Sequence, residues 1–179
     1  MNPLFIAFDI DGVKAIAIYE YNEFVKKLIY LYKGCFDYEM REVFLNLYFR
    51  EIRMRYRDYV VIPIPSYKGD DDKRGFNHVV ETFNLLGLKM MPIINKTAHH
   101  KQAESKANNR NEISKYLILN SRPNLHNCKV LIVDDIYTTG ATMMAAIKLV
   151  QQLNPKKIKV LVLAKTKNKM QNKSNTNNF

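Results

Sequence analysis

Tryptophan is absent from this 179-residue chain, and cysteine occurs only at positions 35 and 128. Two cysteines so far apart build neither a disulfide framework nor a cysteine-based zinc site. No stretch reaches the roughly 18 uninterrupted apolar residues of a membrane helix, so no membrane partner is expected. The opening Met1, Asn2 and Pro3 bring no basic segment, and Asp9 and Asp11 interrupt the short apolar run that follows. A signal peptide is therefore not expected, and the reading is cytoplasmic. Acidic residues are few, 17 against 28 Lys and Arg, for a net charge of +11. None falls between Gln151 and Phe179, where seven lysines stand, so the first 150 residues carry only +4. Heavy use of Lys, Asn and Ile at solvated positions accounts for much of that excess. The rest points to weak single-stranded DNA binding through the basic tail. What is present suffices for a core: 47 % apolar and 11 % aromatic residues exclude a disordered chain, and the length fits one domain.

The pattern along the chain alternates in kind. Phe5 to Phe8 and Lys14 to Tyr19 flank an Asp-Gly turn and predict a β-hairpin. Asn22 is an N-cap candidate for a helix carrying Phe24, Leu28, Leu31 and Tyr32 up to Gly34. A second helix is expected from Asp37 to Arg57, with Met40, Phe44, Leu47, Tyr48 and Ile52 on one face. The segment from Tyr59 reads as a buried strand that Pro63 and Pro65 end. A polar loop from Ser66 to Lys73, a helix from Gly75 to Leu86 and a strand from Leu88 to Ile94 follow. Lys96 to Asn111 is hydrophilic and reads as a surface loop; its adjacent His99 and His100 diverge on an extended chain and make no metal pair. Lys129 to Val133 is a strand, Gly140 to Leu153 a helix and Lys157 to Leu163 a last strand, before a polar tail, 168–179, expected to be disordered. The alternation predicts an α/β domain over residues 1–167 with a mostly parallel sheet.

The chemistry concentrates in one segment. Four apolar residues, Val130 to Val133, make a strand buried on both faces. Asp134 and Asp135 stand at its C-terminal end, where open α/β sheets place ligands. Thr138, Thr139 and Gly140 then turn the chain into a helix through Ala141 and Thr142. Backbone N–H groups of such a turn and the helix N-terminus form an anion site, and the threonine hydroxyls add donors. The carboxylates suit a neighbouring diol or a divalent ion. Singly, each feature also suits a strand end and a helix cap; the conjunction is what favours a ligand site.

That order of residues resembles the phosphoribosyl-pyrophosphate (PRPP) motif of type I phosphoribosyltransferases. Pro63-Ile64-Pro65, Arg74-Gly75-Phe76-Asn77, Lys101-Gln102 and Arg110-Asn111 precede it in the order found in the ComF family of phosphoribosyltransferase-like proteins. The resemblance covers about Tyr19 to Lys165. It implies the type I phosphoribosyltransferase fold, with residues 1–57 forming a small N-terminal hood of hairpin and helices. It implies PRPP binding and transfer of ribosyl phosphate to a small-molecule acceptor, or a PRPP-binding regulatory or competence component with little turnover. Thr138 to Thr142 would hold the 5′-phosphate, and Asp134 and Asp135 the ribose hydroxyls and Mg²⁺, directly or through the substrate. Ser66, Tyr67, Lys68 and Arg74 would face the pyrophosphate. Lys101, Gln102 and Arg110 would belong to a loop closing over the substrate. A homodimer is compatible with this reading. Two departures stand out: the family's frequent four-cysteine zinc module is missing, and Asp70 to Asp72 would repel pyrophosphate unless turned to solvent.

Phe8 to Val13 also mimics the aspartate nucleophile motif of haloacid-dehalogenase-like phosphatases, with Asp9 as nucleophile and Asp11 as acid/base. The alternating residues on both sides favour a hairpin instead. Cys128 reads as a small packing residue. If Lys96 to Arg110 closes over bound anion, PRPP with Mg²⁺ slows proteolysis near Lys101, and equal cleavage in both conditions removes the lid role.

Overall fold

A computed structural model describes residues 4–35, 37–66, 68–97 and 116–167. The hairpin forms β1 (Ile6–Ile10) and β2 (Val13–Glu20). Its turn places Asp11 and Gly12 at positive φ, as a two-residue type I′ connection demands, and Asp9 accepts from the Gly12 N–H at 2.7 Å. Helix α1 (Glu23–Gly34) starts at Asn22, whose side chain accepts from the Val25 N–H at 2.9 Å. A 3₁₀ turn (Tyr38–Glu42), α2 (Phe49–Tyr56), β3 (Tyr59–Pro63), α3 (Lys68–Arg74) and α4 (His78–Asn84) follow. Then come β4 (Ile94–Lys96), β5 (Leu117–Leu119), β6 (Lys129–Tyr137), α5 (Ala141–Gln151) and β7 (Lys157–Lys165).

The main sheet has the order β1-β2-β7-β6-β3, with β2, β7, β6 and β3 parallel and β1 antiparallel at the edge. The α/β class and mostly parallel sheet therefore match the expectation. β6 lies inside the sheet, so consecutive residues feed opposite cores. Val130 and Ile132 pack with α5, β4 and β5, whereas Leu131 and Val133 pack with α1, α2 and α4. No helix among the described residues is long and apolar enough to cross a membrane.

Several expectations change. The hairpin expected in the hood is part of the main sheet, because β2 pairs with β7 over Ala15↔Val160 to Glu20↔Lys165. The single helix expected from Asp37 to Arg57 is broken in two. Tyr19 donates its hydroxyl to the Phe44 carbonyl at 2.8 Å, and the Tyr48 N–H goes to Leu45 rather than to Phe44. Adjacent Phe44 and Leu45 both enter the core that way, while Leu47 is turned out at 77 % exposure. In α1 Tyr32 is buried as expected, but Val25 and Ile29 take the buried places expected of Phe24 and Leu28, and Phe24 is exposed. Ser66 to Lys73 is not all loop: α3 forms there, with Asp70 and Asp71 in its first turn and Lys73 and Arg74 in its last, matching the helix dipole. The strand expected at Leu88 to Ile94 is reduced to one bridge, Val61 to Met90, next to Pro92, which has no N–H to extend it. β6 and β7 both run past their expected ends, to Tyr137 and Lys165. The tail 168–179 lies outside the described residues.

The break at Phe44 has a thermal consequence. Phe44→Ala removes a fully buried ring and costs about 3–5 kcal/mol, whereas Leu47→Ala stays within about 0.5 kcal/mol. Denaturant melts of both variants check this; similar losses would restore the continuous helix.

Candidate functional site

β6 carries Asp134 and Asp135 within the sheet rather than at its end, paired alongside Val162 to Ala164 of β7. Beyond Tyr137 the chain turns through exposed Thr138 and Thr139 to Gly140. Gly140 adopts φ +79°, and a Cβ there would collide with the Tyr137 hydroxyl, so only glycine fits. Tyr137 is itself braced by the Phe8 ring at 4.8 Å. Among the described residues no side chain caps the N-terminus of α5, and its first turn holds no acidic residue. Its leading N–H groups are thus open to an anion, at the positive end of the helix dipole.

The two carboxylates differ in their surroundings. Asp135 Oδ2 receives the Lys33 ammonium at 2.7 Å and contacts His78 Nε2 at 2.9 Å. Arg74 donates to His78 Nδ1 at 3.1 Å, which assigns the ring proton to Nε2, facing Asp135. Burial pushes the Asp135 carboxyl upward, but Lys33 first and His78 next outweigh it and hold the group well below the usual carboxylate range. Asp134 has no such partner among the described residues. Burial, and then the Asp135 charge beside it, push Asp134 well above that range, against the pull of the Asp135 N–H that donates to it at 2.8 Å. Lys33 is correspondingly raised, chiefly by Asp135.

Around this pair lies a cleft of about 540 Å³. It collects Asp134, Asp135 and Thr138 to Thr142 from one side, and Ser66, Asp70 and Arg74 from the other. Lys68 lines a neighbouring hollow of about 330 Å³ instead. Arg74 reaches the cleft as an internal strut: its guanidinium donates to the Asp71 carboxylate and the Lys33 carbonyl, each at 3.0 Å. The expectation that the acidic run turns to solvent holds for Asp72 only. Asp71 bonds Arg74 and Asn77, and Asp70 faces the cleft. The Arg74-Gly75-Phe76-Asn77 segment thereby gains a structural meaning: Gly75 turns at φ +82°, and Asn77 caps α4 through the Val80 N–H. Tyr67, Lys101, Gln102 and Arg110 lie outside the described residues. So do His99 and His100.

Two cleft residues escaped the sequence reading, and a third, Lys96, was expected only as the start of a surface loop. Lys33 and His78 are brought to Asp135 across 102 and 57 residues of chain. Lys96, at the end of β4, also lines the cleft, and burial lowers its ammonium below the ordinary lysine value. His78 had one local signal, its place directly after Asn77. Lys33 stood as one lysine among many.

The asymmetry predicts opposite effects of isosteric changes. Asp134→Asn relieves a carboxylate whose ionisation the fold opposes, and raises the melting temperature at neutral pH. Asp135→Asn removes the charge that Lys33 and His78 share, keeping a single acceptor oxygen, and costs about 1.5–3 kcal/mol. Because the folded Asp135 is depressed, its stabilisation is complete above the unfolded value near pH 4 and lost as pH falls through the folded value. The raised Asp134 has the reverse sign, its protonated form losing stability as pH rises from about 4. Melts of both variants between pH 3 and 8 check this; equal shifts in one direction would refute the asymmetry.

Known proteins resemble the chain in the same region. The phosphoribosyl transferase domain family matches residues 72–178. The competence protein ComFC of Streptococcus pneumoniae is 28 % identical over 154 residues, covering 86 % of this chain and 69 % of its own length. ComFC of Bacillus subtilis is 26 % identical over 129 residues, 71 % of this chain, and the chain spans about half (53 %) of it. A hypoxanthine phosphoribosyltransferase from Staphylococcus aureus superimposes with a TM-score of 0.45 at 13 % identity, over 74 % of this chain and 69 % of that one. The ComF resemblance of the sequence motifs is thus matched by two ComFC proteins, and the chain belongs to the phosphoribosyl transferase domain family.

Proposed function

We propose that the cleft binds PRPP and that the chain transfers its ribosyl phosphate to an acceptor, with release of pyrophosphate. The observation that carries this reading is the conjunction in one cleft of a helix N-terminus and a carboxylate that no described side chain caps or pairs, and a hydroxyl-bearing turn between them. The 5′-phosphate suits the turn from Thr138 to Thr142, which lines the cleft and carries backbone N–H groups and threonine hydroxyls. Asp134 is the carboxylate available to the ribose diol, since Asp135 is engaged by Lys33 and His78. Departure of pyrophosphate leaves positive charge on the ribose, and an adjacent carboxylate stabilises it. Ser66, Arg74 and the Lys96 ammonium then face the pyrophosphate side.

Mg²⁺ fits this donor set as a companion of the pyrophosphate. Among the described residues no three His, Cys, Asp or Glu side chains converge on a metal position. Asp134 is the side chain that would face the ion, and when bound the ion neutralises charge on the leaving group.

A second reading keeps PRPP binding with little turnover, in a competence or regulatory role. The engagement of Asp135 favours it, as do the relatives, both called competence proteins. Weak single-stranded DNA binding through the basic tail belongs to this second reading.

Pyrophosphate release from PRPP and Mg²⁺ with a panel of nucleobases separates the two. Turnover with one base supports the transferase, and PRPP binding without release supports the second reading. Asp134→Asn is expected to weaken PRPP binding about 10- to 150-fold in a calorimetric titration, the worth of one charge-assisted hydrogen bond. Unchanged affinity would remove Asp134 from the site.

A further inference from the structure

Positive charge gathers at the end of the sheet opposite the cleft. Tyr59, Lys129 and Lys157 stand in register where β3, β6 and β7 begin. Lys159, two residues on, faces the same side, where the last turn of α2 brings Arg55 and Tyr56. The Lys159 ammonium lies 5.6 Å from the centroids of both the Tyr56 and Tyr59 rings, and that of Lys129 lies 5.9 Å from the Tyr59 ring. The two rings meet edge to face at 5.4 Å, so both ammonium groups rest on one aromatic platform. Burial first lowers the Lys159 ammonium below the ordinary lysine value, and the charges of Lys157, Arg55 and Lys129 lower it further. Arg55, Lys157 and Lys159 pair with no carboxylate among the described residues. Asp58, largely exposed, is shared between Lys129 at 3.4 Å and Arg57 at 3.8 Å. Glu51 lines a small hollow with Arg55.

We propose that this platform is a second anion site, and that its ligand is a compact oligophosphate, two or more phosphate groups linked in a row. Arg55, Lys129, Lys157 and Lys159 repel one another here, and that repulsion is relieved only when negative charge arrives. An ammonium group is a compact point charge with three donors, which suits the clustered oxygens of linked phosphates. The ammonium groups of Lys129 and Lys159 are held over one ring, so a compact anion meets them together. The rings offer no face to a nucleobase: Tyr56 is 1 % and Tyr59 8 % exposed. Stacking, on which the binding of single-stranded nucleic acid leans, is therefore denied at this platform. Lys129 begins β6, and Asp134 and Asp135 lie near its other end. The site stands apart from the cleft, and the proposal does not rest on the PRPP reading.

Lysine footprinting of the full chain tests this, with tripolyphosphate as the probe and brief acetylation read residue by residue in a mass spectrometer. Tripolyphosphate is expected to slow acetylation of Lys129, Lys157 and Lys159 together, while exposed Lys156 at the same end and Lys148 on α5 react as before. Protection confined to Lys33 and Lys96 would place the probe in the cleft and overturn the proposal. Even protection of all lysines, or of none, overturns it too. A thymidine oligonucleotide at equal phosphate concentration is the second arm. If it protects the same three lysines as well as tripolyphosphate does, the platform reads an extended backbone and the compact ligand is wrong. Lys159→Gln is expected to weaken tripolyphosphate binding about 10-fold in a calorimetric titration. Tyr59→Leu alters no charge, yet is expected to weaken binding in the same direction by releasing both ammonium groups. Unchanged affinity in Lys159→Gln, or an equal loss in Lys156→Gln, overturns the site.

Discussion

One carboxylate oxygen ties the molecule together around its cleft. Asp135 Oδ2 takes the ammonium of Lys33 from the last turn of α1 and faces Nε2 of His78 from the first turn of α4. Three elements distant in sequence meet at that atom, and each is braced further. Arg74 holds the other nitrogen of His78 and the carbonyl of Lys33, while Tyr32 and Thr82 both donate to the His78 carbonyl. A partly buried charge with this many partners fixes direction as well as distance. The roof of the cleft depends on it: the ion pair ties the end of α1 directly to β6.

The same contact sorts two chemically identical neighbours into different roles. Asp135 is held ionised by its partners, and Asp134, one residue away, bears both the burial and the repulsion of that charge. The open N-terminus of α5 adds the complementary feature, a place for negative charge a few residues farther along the chain. Carboxylate and helix end together favour a ligand that is anionic at one end and rich in hydroxyls beside it. The glycine between them is fixed by Tyr137 as much as by any ligand, since that hydroxyl fills the space a Cβ would need.

Local patterns carried much of this in the sequence alone. The hairpin turn, the Asn22 cap, the four apolar residues of β6 and the turn after Asp135 each follow from the preferences of a few adjacent residues. The turn that opens α5 was therefore legible as a candidate site, because its donors are consecutive along the chain. The α/β class followed from the alternation of periods. What the sequence left open was decided by contacts between distant segments. The hairpin joined the main sheet because the unpaired edge of β7 accepts β2 in parallel. The helix after Asp37 broke because Tyr19 claims the Phe44 carbonyl, an interaction across 25 residues that no helical stripe reveals. Lys33 and His78 became site residues only when α1 and α4 packed on the same face of the sheet as Asp135. A lysine in a lysine-rich chain carries no signal of its partner, and its meaning arises from the low-dielectric position to which the fold delivers it.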